Sequence, residues 1–283
     1  MRFGAHVSAA GGLKNAALPA RSLGCEVIQI FSRSPQSWQA KPLTPEDCLL
    51  FKEAISEAGV QAVYLHAPYL INLASSNPRT RGGSIHLLRE ELERGTLLGA
   101  KAMMFHPGSA KDVGRSAGLK LVVDALNQIM MDYEGSCQLL IEISAGAGEV
   151  MGDTIEELGY FLQNAERGSE IGLCFDTQHA FASGYDLRSK DKVNDLVTLM
   201  AREFKLEQLV ATHCNDSKVP LGSHKDRHEN IGHGELGQAG ILNFLAHPKL
   251  QHLDVILETP YEKDGSDGLR EADMKIIRQA SSK

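Results

Sequence analysis

The sequence predicts an α/β fold in one domain, a closed (β/α)8 TIM barrel. Three observations predict it. Short apolar, β-leaning runs alternate with longer stretches of helical period; the alternation repeats eight times, the number of units that closes a parallel sheet into a barrel; and no linker, low-complexity tract or shift in composition divides the 283 residues. An α/β barrel of roughly 250 residues is a common single-domain size.

The elements follow in order. RFGAHV (2–7) leads into a helical stretch at 12–22, and CEVIQIF (25–31) into a helix over 45–58. That helix is well signalled in LTPEDCLLFKEAISEAG: Thr44 caps it, Pro45 occupies its first turn, acids follow, and Gly59 ends it. QAVYLH (61–66) pairs with a helix at 80–98, AKAMMFH (100–106) with 115–133, and QLLIEI (138–143) with 154–166. IGLCFD (171–176) pairs with 189–205, QLVATHC (208–214) with 237–246, and LDVILE (253–258) with 267–280.

Composition narrows the class. At 42% hydrophobic and 23% charged residues the chain is globular, and its longest apolar runs are strand-sized, too short to span a membrane. MRFGAHVSAAGG lacks the apolar core of a secretory signal, which predicts a cytoplasmic protein. Cys25, Cys48, Cys137, Cys174 and Cys214 form no CxxC pair and read as reduced thiols, mostly buried in strands. The formal charge of −7 argues against a nucleic-acid partner, except that it leaves out any bound cation.

The strand ends carry the chemistry. The last histidine or carboxylate residues of the third to eighth runs are His66, His106, Glu142, Asp176, His213 and Glu258, separated by 40, 36, 34, 37 and 45 residues. In a barrel, C-terminal strand ends meet at one rim, where active sites lie. A single histidine at a strand end is usually a hydrogen-bonded structural residue, and a single acid usually a helix cap. Six of six is a different matter. Three carboxylates in one dry pocket repel each other and take up protons unless cations sit among them. Imidazole and carboxylate without thiolate suit Zn²⁺ and accept Mn²⁺. Six side chains exceed the needs of one catalytic zinc, which keeps about three protein ligands. A shared carboxylate bridging two ions resolves this, and Glu142, central in chain order, is the candidate.

Asp226 and His228 stand two apart in LGSHKDRHENIGHGELG (221–237), so in an extended loop they point the same way, over the same mouth. His179, placed in the loop after the sixth run about one turn from Asp176, supplies a third ligand beside them. His6 ends the first run without an evident partner and reads as support for the ligands. His86, His224, His233, His247 and His252 read as surface or loop residues. GAHVSAAGG lacks the GxGxxG spacing and the P-loop lysine, so its glycines are a weak phosphate-binding signal.

Taken together, GAHVSAAGGL, FHPGS, DTQHAFASGYD, HCNDSK, KDRHENIGHG and LETP resemble the motifs of the endonuclease IV family of apurinic/apyrimidinic endonucleases, from residue 4 to about 260. The resemblance implies three Zn²⁺ per chain at the barrel mouth: one on His66, His106 and Glu142, a second on Glu142, Asp176, His213 and Glu258, and a third on His179, Asp226 and His228. It implies hydrolysis of the phosphodiester 5′ to an abasic site, leaving a 3′-hydroxyl and a 5′-deoxyribose phosphate, together with trimming of blocked 3′ ends. Its substrate is then double-stranded DNA carrying those lesions, with Glu142 as the catalytic carboxylate; apart from the resemblance, a monomer is the simpler expectation. It also implies loop wedges into the DNA stack. Tyr69 and Leu70 match these, while Gln36 stands where the family carries an arginine. Two more departures are IEISAG for the usual IENTAG, with Ile143 turned toward the helices, and Gln178 for a usual cysteine, read as of little consequence. Arg33, Lys41, Lys111, Lys218, Lys225 and Arg227 are candidate phosphate contacts.

Two other readings compete. Glu142, Asp176, His213 and Glu258 alone would serve a single-metal sugar isomerase or epimerase on the same barrel, but that chemistry has no use for the other five. A catalytically silent binder of damaged DNA would not need every ligand intact.

Overall fold

The structure, a computed structural model, describes residues 1–262, 265 and 267–282. Eight parallel strands close into a barrel: β1 (Arg2–His6), β2 (Val27–Ile30), β3 (Ala62–His66), β4 (Ala102–Phe105), β5 (Gln138–Glu142), β6 (Gly172–Asp176), β7 (Leu209–His213) and, after two short strands, β10 (Asp254–Leu257). Each lies beside its neighbour in sequence, and β10 closes on β1 with Arg2 opposite Asp254. Every predicted run contains its strand. The short strands β8 (Asp216–Ser217) and β9 (His228–Glu229) form an antiparallel pair in the excursion after β7.

The helices in chain order are α1 (Ala17–Ser22), α2 (Pro45–Glu57), α3 (Pro78–Leu98), α4 (Arg115–Met130), α5 (Ile155–Asn164), α6 (Thr177–Ser183), α7 (Lys190–Glu203), α8 (Gly237–Leu245) and α9 (Gly268–Ile277). At the start of α2, Thr44 caps the helix as the sequence suggested, and the Asp47 carboxylate in turn accepts the Thr44 backbone N–H. α6 corrects the reading that left His179 in a loop. Asp176 Oδ1 accepts the backbone N–H groups of Gln178 at 2.7 Å and His179 at 2.9 Å, and Gly184 closes the helix in the left-handed region.

Alternation along the strands sorts the interior. Val27, Tyr64, Met104, Leu140, Cys174, Ala211 and Ile256 fill the barrel, and the next inward position on each strand is polar. Ile143, one residue past Glu142, packs in the outer core between sheet and helices. Gly4 is required where β1 meets β2: a Cβ there would lie 1.5 Å from the Val27 carbonyl oxygen. On the far side, Arg270 of α9 is buried and donates to the His6 carbonyl at 2.6 Å, tying the end of β1 to the helical layer.

Candidate metal centre

The C-terminal strand ends bring their polar residues into contact. Glu142, fully buried, divides its carboxylate between two groups. Its Oε2 lies 3.1 Å from His66 Nε2 and 3.5 Å from His106 Nε2, while Oε1 lies 2.8 Å from His213 Nδ1. That same nitrogen is 3.2 Å from Glu258 Oε2 and 3.8 Å from Asp176 Oδ2. A third group sits over α6 and β9: His228 Nε2 lies 3.4 Å from His179 Nε2, 3.4 Å from Asp226 Oδ1 and 3.5 Å from Asp176 Oδ2. Asp226 Oδ2 completes it, 3.4 Å from His179 Nε2. Within each of three sets (His66, His106 and Glu142; Glu142, Asp176, His213 and Glu258; Asp176, His179 and His228) the ligand atoms fall within 4.8 Å of one another, a spacing one ion can span. Asp226 enters from the solvent side with its side chain 59% exposed.

The rings are fixed in orientation. A carbonyl oxygen only accepts, so a ring nitrogen facing one must carry the hydrogen. His66 Nδ1 donates to the Ala67 carbonyl at 2.7 Å, His179 Nδ1 to that of Ile143 at 3.0 Å, and His228 Nδ1 to that of Glu258 at 3.3 Å. His106 Nδ1 faces Ser144 Oγ at 3.3 Å, and that hydroxyl is itself committed to the Met151 carbonyl. In all four, Nε2 is the nitrogen aimed into the cluster, the one a metal ion can take once a proton on it is displaced. Such outer hydrogen bonds accompany metal-ligating histidines. Nitrogen and oxygen donors without thiolate, with tautomers preset, fit Zn²⁺ or Mn²⁺.

Electrostatics agree with that fit. Burial opposes a charge on Glu142, yet His106, His213 and His179 around it hold its carboxyl well below the usual range. Burial likewise opposes a charged His179, but Asp176, Asp226 and Glu142 push it well above the ordinary imidazole value. Asp226 is lowered to about 2: its partial burial acts upward, and the hydrogen bond and charge of His179 outweigh it. Glu142 and Asp226 are thus held ionised beside histidines, and a proton on His179 is one that a metal ion can displace.

Sequence reasoning missed several supports. Gln29 of β2 is fully buried and touches His6, His213 and Glu258. Its signal was a lone amide inside the apolar run CEVIQIF. Asn215 donates to Asp176 Oδ2 at 2.8 Å and accepts the Glu258 backbone N–H at 2.9 Å. The Asp216 carboxylate accepts the backbone N–H groups of Ser217, Gly232, Gly234, Leu236 and Gly237, folding the segment after His228 around one buried acid. Gly234 is needed there, because a Cβ would come within 2.6 Å of Asp216 Oδ1. Gln178 is a correction: its amide donates to the Lys225 carbonyl at 3.0 Å and so tethers the residue before Asp226. Arg33 is another. It is buried, with Nε 2.5 Å from Glu91 Oε1, and so is not exposed to contact phosphates.

The other loop candidates lie at the surface. Tyr69 is 69% exposed, its ring edge-on to Phe31 at 5.6 Å, while Leu70 is half-buried. Gln36, Lys41, Lys111, Lys218, Lys225 and Arg227 are exposed. Of the histidines assigned to the surface, His247 is half-buried and the other four are exposed, and all five cysteines are buried free thiols. A groove of about 810 Å³ runs outward from His6 between residues 8–14 and 31–43. No helix among the described residues is long and apolar enough to cross a membrane.

Known proteins resemble this chain in sequence and in fold. Residues 18–280 match the family model of the xylose isomerase-like TIM barrel. A "Probable endonuclease 4" from Halothermothrix orenii is 37% identical over 260 residues, covering 92% of this chain and 94% of that protein. The crystal structure of endonuclease IV from Thermus thermophilus superposes with a TM-score of 0.85 at 30% identity, covering 100% of this chain and 99% of the other. A D-tagatose 3-epimerase-like protein shares the barrel at 20% identity and a TM-score of 0.72, covering 100% and 97% of the two chains.

Proposed function

The chain belongs to the endonuclease IV family, and from that premise we propose that it is a zinc-dependent DNA-repair endonuclease. It hydrolyses the phosphodiester 5′ to abasic sites in double-stranded DNA, leaving a 3′-hydroxyl and a 5′-deoxyribose phosphate, and trims blocked 3′ ends. The single observation that carries this reading is the Glu142 carboxylate, which offers one oxygen to His66 and His106 and the other to His213. A single-metal isomerase needs no such bridge.

One ion would rest on His66, His106 and Glu142, a second on Glu142, Asp176, His213 and Glu258, and a third on His179, Asp226 and His228. Bound there, zinc supplies Lewis acidity toward phosphate oxygens and makes water acidic enough to ionise near neutral pH. The chain's own residues do the rest. The carbonyls of Ala67, Ile143 and Glu258 hold three imidazoles in one tautomer, so no reorientation is required when substrate arrives. Complete burial of Glu142 keeps bulk water from its carboxylate. The exposed Tyr69 ring, backed by Phe31, gives the unstacked lesion an aromatic face, and exposed Lys111, Lys218, Lys225 and Arg227 meet phosphates around the mouth. Three Zn²⁺ would change a chain charge of −7 to about −1 and concentrate the positive charge at the rim.

The test is metal content per chain measured beside a nicking assay on a duplex with one abasic site. Three zinc ions and incision on the 5′ side are expected. One divalent ion per chain with turnover of a ketose, or incision by metal-free protein, overturns the proposal.

A further inference from the structure

Of the five histidines in the metal groups, His213 is reversed. The other four aim Nε2 at the carboxylates of the cluster, whereas His213 aims Nδ1 at Glu142 and Glu258 and holds Nε2 2.7 Å from Gln29 Oε1. We propose that Gln29 is a positioning residue that selects Nδ1 of His213 and Oε2 of Glu258 as the ligand atoms of the inner metal. This assignment rests on the metal-centre reading above.

The argument is one of donors and acceptors. A primary amide offers two N–H hydrogens on its nitrogen, and its oxygen accepts. A carboxylate only accepts, so the Gln29 atom 2.6 Å from Glu258 Oε1 is the nitrogen, Nε2. The amide oxygen therefore faces His213, and His213 Nε2 must donate to it. With a hydrogen fixed on Nε2, Nδ1 is the nitrogen left for a metal: its own proton, held against Glu142 and Glu258, is the one an ion displaces. The second hydrogen of Gln29 Nε2 goes to His6 Nδ1 at 2.8 Å, which explains why a histidine ends β1 without joining any metal group. All three functions of the amide are thereby used, so Gln29 itself is not a ligand. Glu258, with Oε1 occupied, turns Oε2 toward His213 Nδ1 at 3.2 Å. Gln29 is fully buried, so water cannot substitute for it. One side chain thus fixes two of the four ligands of the inner group.

The experiment compares wild type with Q29L, each stripped of metal and titrated with Zn²⁺ alone against a chromophoric chelator. Loss of an outer hydrogen-bond partner costs about 10–100-fold in metal affinity, so Q29L should bind one of its zinc ions by that factor more weakly and the others as wild type does. A merely structural role would lower the melting temperature of the metal-free protein and leave the separate affinities alike. If Q29L titrates as wild type does, the assignment falls and the metal reading stands; if wild type takes up no zinc, both fall. Should Q29L not fold, the zinc-loaded wild type decides the matter. Its long-range ¹H–¹⁵N spectrum should place the His213 hydrogen on Nε2, and a hydrogen on Nδ1 overturns the proposal.

Discussion

Both ends of this barrel bury acids, and each end answers them differently. At the N-terminal end, Asp254 accepts from Arg2 Nε at 2.8 Å and Nη2 at 2.6 Å, from the Tyr64 hydroxyl at 2.6 Å, and from Lys101 Nζ at 2.9 Å. At the C-terminal end, the buried Glu142 and Asp176, the half-buried Glu258 and the exposed Asp226 pair with histidines, and among the described residues none of them has a lysine or arginine ion pair. A permanent cation neutralises an acid for good. An imidazole proton does so only until a metal ion displaces it. The lower end therefore keeps its cations, and on the metal reading proposed above the upper end exchanges protons for metal.

The largest break in that contrast is expected from Glu142→Gln. The amide keeps the size of the side chain but removes the charge shared by two groups, and incision of an abasic duplex should fall by about 10³-fold or more, the scale of loss when metal-based charge stabilisation is removed. Far-ultraviolet circular dichroism should show the barrel intact. Near-normal turnover in this variant would contradict the shared-carboxylate arrangement.

How much of this contrast could be read from sequence depends on the period of the signal. Strand parity at period two put His66, His106, Glu142, Asp176, His213 and Glu258 on one rim, because each ends an apolar run about one βα unit from the next. α6 was not legible: its seven residues are too few for a helical period, and its cap, Asp176, had already been assigned as a ligand. Gln29 was missed because only metal-competent residue types were sought, although an amide buried in a strand needs partners as much as an acid does. The hold of Asp216 on backbone groups from Gly232 to Gly237 is purely tertiary, with no local pattern to announce it. The lower cluster was equally silent, since Arg2, Tyr64, Lys101 and Asp254 meet only when β10 closes on β1.

Chelation sharpens the comparison next. A ligand that binds only the folded state at a thousand times its Kd adds about 4 kcal/mol per site. Stripping metal with EDTA should therefore lower the melting temperature of the wild type by several degrees and change that of Glu142→Gln much less. Asp254→Ala behaves in the opposite way. Removing one partner of a fully buried pair costs about 3–5 kcal/mol, but Arg2 and Lys101 are partly exposed and can rehydrate. A loss of about 2–3 kcal/mol is expected by that reasoning, the same with and without EDTA, and incision per folded molecule should be unchanged. A loss that depended on metal would mean that the two ends are coupled.

The smallest effect is a dependence on acid that belongs to the lower end alone. Burial works to raise the Asp254 carboxyl, yet hydrogen bonds from Arg2, Tyr64 and Lys101 overcome it and hold the group below its usual value. A carboxyl depressed in the folded state contributes stability that is fully present above its unfolded value of about 3.9 and is lost as pH falls through the folded value. Asp254→Asn cannot titrate, so the urea-unfolding gap between the metal-free wild type and this variant should be level at neutral pH and narrow below about pH 4, where the unfolded carboxylate takes up its proton. A gap that stayed constant into acid would mean that the Asp254 cluster holds the barrel by shape and not by charge.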